Sequence, residues 1–135
     1  MTEEPPDIQN AVLRVSKLLD KVIEEHHLLA DARTEEEQFR NTFLPPAPLQ
    51  GVPFQGAEGL VKFSEETQRF EEQRAQVSGR LQDAERRYSE AAEQVASILP
   101  VGTSVAHEYG GEDPQLKGQY EIRNGGGDIK VIGGR

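Results

Sequence analysis

The sequence predicts a mainly α-helical protein. The expected fold is a long antiparallel helical hairpin, paired as a coiled coil, with a small C-terminal β element of two to three short strands. Three observations carry this. Two stretches repeat apolar residues in alternating steps of three and four, the signature of a helix with one buried stripe. A Pro- and Gly-rich segment separates them. The last part of the 135-residue chain switches to period-two alternation between glycine-rich turns.

The elements follow in chain order. Residues 1–6 are expected to be a disordered N-terminus, because Pro5 and Pro6 cannot lie inside a helix and Asp7 is placed to cap one. The first helix covers 7–40. Ile8, Val12, Val15, Leu19, Val22, His26 and Leu29 form its seam, and Ala11, Leu18, Ile23 and Leu28 widen the apolar face. The seam turns polar at Arg33 and Glu36. Residues 41–57 form an apolar Pro-rich loop. The second helix covers 58–99, with Leu60, Phe63, Thr67, Phe70, Arg74, Val77, Leu81, Ala84, Tyr88, Ala91, Val95 and Ile98 on its seam. Gly79 weakens it by about 1 kcal/mol relative to alanine. Pro100 and Gly102 end it.

Neither helix buries its stripe alone, so the pair folds back to make a hairpin spanning 7–99. The polar seam positions (Arg33 and Glu36; Thr67 and Arg74) flank the loop, and the apolar ones lie toward the other end. An antiparallel pair therefore matches like with like. Two helices make a thin core. The wide face of the first helix implies a further layer, supplied by self-association as a homo-oligomer or by another protein.

Residues 100–135 form the β tail. Thr103, Val105, His107 and Tyr109 share one face of a first strand, Tyr120 and Ile122 of a second, and Ile129 and Val131 of a third. Glu112-Asp-Pro114 and Asn124-Gly-Gly-Gly127 are turn signals. So small a sheet needs the base of the hairpin, or another chain, to pack on.

Composition narrows the function. Fifteen basic residues against 24 acidic ones give a net charge of −9, divided as −5 over residues 1–40, −3 over 41–99 and −1 over 100–135. No segment is basic, so no nucleic-acid partner is expected and anionic membrane surfaces are disfavoured. No apolar run reaches membrane-spanning length, so no membrane insertion is expected. Thiol catalysis and disulfides are excluded by the absence of cysteine. No secretory or transit signal opens the chain, and a cytoplasmic location is expected. No nucleophile elbow or phosphate-binding loop occurs. The chain is expected to be no enzyme and to carry no cofactor, metal or catalytic residue.

The most unusual segment is the loop. It sets Phe43, Leu44, Leu49, Val52 and Phe54 among prolines, where solvated loops are normally polar. Proline favours an extended backbone that aromatic grooves bind at low entropic cost. These five residues are the candidate partner-binding set; the competing role is to cap the open end of the hairpin. Val15, Leu19, Val22, Val77, Leu81, Tyr88 and Val95 are the candidate coiled-coil seam. Glu24 and His27 carry a Glu-x-x-His spacing used by di-iron bundles, but a full site would need carboxylates from another subunit. His26, at a seam position, is a candidate pH-sensitive residue.

Two partial resemblances can be traced. Phe54-Gln-Gly56 and Tyr109-Gly-Gly-Glu-Asp113 resemble, in part, the Trp-x-Gly turn and the trailing Tyr-x-x-x-Asp/Glu signal of the WXG100 class of type VII secreted helical hairpins. This chain has no Trp, a longer loop and a strand-like tail. The tail Gly125–Arg135 is similar to the C-terminal peptides that load cargo into encapsulin shells. With Glu24 and His27, that resemblance implies an encapsulated ferritin-like metal protein. Neither amounts to membership of a family. The reading the residues support is a non-enzymatic coiled-coil scaffold or adaptor acting by protein–protein interaction. The alternatives are the two resemblances and a holdase-like chaperone gripping clients with an apolar tip.

Overall fold

A computed structural model describes residues 6–133. Two long helices precede a small antiparallel sheet. Helix α1 spans Pro6–Thr42 and helix α2 spans Gly56–Ala96. Strands β1 (Ser104–Glu108), β2 (Gln119–Asn124) and β3 (Ile129–Gly133) follow, in spatial order β1-β2-β3. A 3₁₀ turn, Pro114–Leu116, lies between β1 and β2.

Several boundaries differ from those expected. Helix α1 begins at Pro6, which was expected to lie outside it. In the first helical turn the N–H that proline lacks would have had no intrahelical acceptor, so proline is tolerated there. Asp7 is accordingly in the first turn rather than before it, favourably placed against the helix dipole. The rest of the expected disordered segment lies outside the described residues. Both helices extend into the expected loop, leaving 43–55 as the connection. Helix α2 stops at Ala96, and Ile98 and Leu99 donate back to the Val95 carbonyl at 3.0 and 2.9 Å.

The chain divides into two compact units whose boundaries fall inside both helices. The first unit gathers the described residues up to Leu29 with those from Ala84 onward; the second is Ala30–Asp83.

The first unit holds the main core. Leu19, Val22 and Ile23 of α1 and Ala91 and Val95 of α2 cluster with Tyr109, Leu116, Tyr120, Ile122 and Ile129. The sheet thus finds its second layer on the helices, which is what a three-stranded sheet requires. Register aligns Val105 with Ile122 and Ile122 with Val131, so one inner row crosses all three strands. The alternation seen in the sequence matches this: Tyr120, Ile122 and Asn124 are buried on β2 while Gln119 and Arg123 are exposed. Asn124 ties the glycine turn to the segment that follows α2. Its Nδ2 donates to the Leu99 carbonyl at 2.7 Å, and its Oδ1 accepts from the Gly126 N–H at 3.0 Å. Gly126 takes φ 86°, open to glycine at little cost.

In the second unit, the end of α1, the loop and the start of α2 form a helical hairpin. Arg80 pairs with Glu35, and Phe70 meets Phe39 at a ring separation of 5.5 Å. Residue numbers rising along α1 match numbers falling along α2, so the helices run antiparallel here. Gly79 sits within α2, and a Cβ built there meets nothing within 4 Å. Gly79→Ala is therefore expected to stabilise the protein by about 0.5–1 kcal/mol. Urea unfolding checks this, and a variant weaker than wild type would contradict the helical role given to this position.

Candidate protein-docking site

The loop is built around one turn. Leu49, Gln50, Gly51 and Val52 reverse the chain, with the Val52 N–H donating to the Leu49 carbonyl at 3.3 Å. Gly51 adopts φ 77°, the conformation a type II turn demands at its third residue. Leu49 and Val52 stand at the two ends of that turn and are brought close together. Pro46 and Pro48 before it, and Pro53 after it, each hold φ near −65° and keep the arms stiff.

All five candidate binding residues are exposed, although an apolar side chain in water forfeits roughly 1.5–3 kcal/mol of burial. Leu44, Leu49 and Val52 are 82%, 75% and 55% exposed. Phe43 and Phe54 are anchored at one edge: Phe43 stacks on Phe39 at 5.1 Å and Phe54 leans on Phe63 at 5.3 Å. A capping role accounts for those two rings. It does not account for Leu44, Leu49 and Val52, which cover little.

Beside the loop lies a groove of about 620 Å³ walled by Phe39, Phe43, Phe70 and Leu44, with Val77 and Ser78 of α2 among its lining. Arg40 and Arg74 reach its edge, already paired with Glu36 and, at 3.4 Å, with Glu71. The groove thus has three aromatic rings in its lining, and the two arginines and two glutamates among its lining residues balance in charge.

The candidate seam residues are distributed between the two units. Leu19, Val22 and Val95 are buried in the first unit's core, where Tyr88 is half-buried and its hydroxyl donates to the Ile129 carbonyl. Val15 is exposed. In the second unit Val77 is buried and Leu81 half-buried. His26 sits half-buried, its ring 5.8 Å from that of Tyr88.

A polar cluster joining α1 to the end of β1 escaped the sequence reading. His107 Nε2 lies 2.7 Å from Asp20 Oδ1, which also accepts from the Gly110 N–H at 3.0 Å. The Tyr109 hydroxyl donates to Glu24 Oε2, one helical turn on, and accepts from the Asp113 N–H at 3.4 Å. Burial, then the bond to the Glu24 carboxylate, push the Tyr109 phenol up to about 12. Burial also raises Tyr120. A spacing of four between Asp20 and Glu24 was the available signal, but carboxylates recur at that spacing on many solvated helices. Glu24 is thereby committed to Tyr109. Among the described residues no group of three or more His, Cys, Asp or Glu is placed to hold a metal ion. Tyr109, the tyrosine of the WXG100-like signal, is a core residue.

Among the described residues no helix is long and apolar enough to cross a membrane. No family model, curated protein or solved structure matches the chain.

Proposed function

We propose that this is a non-enzymatic cytoplasmic assembly or adaptor protein, whose helices pair as a coiled coil and whose loop is its contact with other proteins. The single observation that supports this is the exposure of Leu44, Leu49 and Val52 on a proline-rich loop. A preorganised apolar tip loses little entropy on binding. Apolar anchors clustered at the centre of a contact carry most of the affinity of protein interfaces.

The test is a photo-crosslinking residue placed at Leu49 or Val52 in cells, with exposed Glu65 as the control position. Discrete protein adducts are expected at 49 and 52 and not at 65. The double variant Leu49→Asp/Val52→Asp should keep stability within about 0.5 kcal/mol of wild type, as exposed positions allow. It should also weaken partner capture at least about tenfold. Adducts no stronger than those at Glu65 would sink the reading.

A further inference from the structure

We propose that the loop docks on a second copy of this chain: the Leu49–Val52 turn of one protomer enters the Phe39–Phe70 groove of the other, and the exchange is reciprocal. This rests on the loop being a protein contact, and it names the partner.

Charge is the first argument. The chain carries −9 overall, and residues 1–40, 58–99 and 100–135 are each net negative. Two copies approaching through those surfaces repel one another. Residues 41–57 contain no ionisable side chain. The charged residues lining the groove cancel too, because Arg40 and Arg74 are matched by Glu36 and Glu71. This face of the second unit therefore admits another copy without like-charge repulsion at the contact.

Chemical fit is the second argument. The groove is aromatic and about 620 Å³, while the loop offers two apolar prongs on a proline-stiffened turn. Aromatic grooves favour proline-rich segments because their backbone is already ordered. The chain carries both halves of this recognition side by side. Yet Leu49 and Val52 stay exposed, so the loop does not fill its own groove. A two-fold axis near the loop brings each turn to the other protomer's groove, as an isologous contact requires. Both contacts form at once, so the interface is twice one turn-in-groove.

Because the contact itself is neutral while each copy carries −9, raising salt from about 0.1 to 1 M should not weaken the dimer and should strengthen it by screening the repulsion between the copies. The experiment is sedimentation or light scattering of the full chain across a dilution series. A dimer is expected, weakened at least about tenfold by Leu49→Asp/Val52→Asp. The absence of native cysteine makes a second readout clean. When Leu49→Cys and Ser78→Cys chains are mixed and oxidised, the mixed 49–78 disulfide should exceed both like pairs. A monomer at every concentration overturns the proposal. So does a dimer that the double aspartate variant leaves intact, or a Leu49→Cys/Ser78→Cys chain that crosslinks only within itself. A monomer that still gives photo-adducts to a different protein at Leu49 defeats self-docking and leaves the adaptor reading standing. A monomer without adducts defeats both.

Discussion

Replacing Ile122 with alanine is expected to cost about 2–5 kcal/mol, enough to unfold much of the first unit. Ile122 is 0% exposed and lies on the central strand, with Val105 beside it on β1 and Val131 beside it on β3. It belongs to the cluster that joins the sheet to Leu19, Val22, Ile23 and Val95. Deleting its outer carbons leaves a hole that its neighbours cannot close, because the ladder fixes the strands on both sides. The cost is then the lost transfer energy plus the cavity term. The chain itself supplies a probe specific to this unit. It has three tyrosines and no tryptophan, and Tyr88, Tyr109 and Tyr120 all belong to the first unit. Tyrosine fluorescence followed through urea unfolding therefore reports this unit alone. A loss under about 1 kcal/mol would mean that the sheet is not packed on the helices as described.

Gly111→Ala should be nearly as damaging, at about 2–4 kcal/mol. A Cβ at Gly111 would stand 2.3 Å from the Tyr109 hydroxyl oxygen, 2.5 Å from its ring carbon and 2.9 Å from Glu24 Oε2. The ring must leave its place, which combines overpacking with loss of a hydrogen bond to a carboxylate. The same phenol predicts a pH dependence. Its folded pKa, about 12, stands above the ordinary 10.0, so the folded state holds the proton more tightly than the unfolded chain. The stability this contributes is complete below pH 10 and is lost as pH rises from 10 through 12, on the order of 2 kcal/mol in all. Tyr120, also raised, adds a loss of the same sign. Tyr109→Phe should therefore flatten the alkaline decline without abolishing it. In Gly111→Ala, absorbance titration should show the displaced phenol ionising nearer 10. An alkaline stability profile identical in wild type and Tyr109→Phe would refute the assignment.

The buried role of Tyr109 also bears on the resemblance to secreted hairpins. Loss of export in a Tyr109→Ala variant would not single out a recognition signal, because that change removes a core side chain.

Much of the fold was legible because it is local. A stripe in steps of three and four can be buried only as a helix, and alternation on one face only as a strand, so α1, α2 and the three strands follow from short-range pattern. The loop residues were legible for a related reason: an apolar side chain between prolines contradicts the usual polarity of loops. Pro6 departs from expectation because the rule against proline rests on its missing N–H donor and its ring's clash with the preceding turn, and in the first turn no intrahelical bond is lost and no earlier turn stands in the way.

The sequence by itself determined the elements and their order, the apolar stripe along each, the net charge of −9, and the unusual chemistry of residues 43–54. Only the tertiary structure decided which faces meet. That the sheet packs on Leu19, Val22 and Ile23, that Asp20 meets His107 and Glu24 meets Tyr109 across some 85 residues of chain, and that Phe39 and Phe70 wall a groove beside the loop are all products of chain crossing. Such pairings depend on the relative placement of elements, set by the sum of many small packing terms. No short-range pattern encodes that sum.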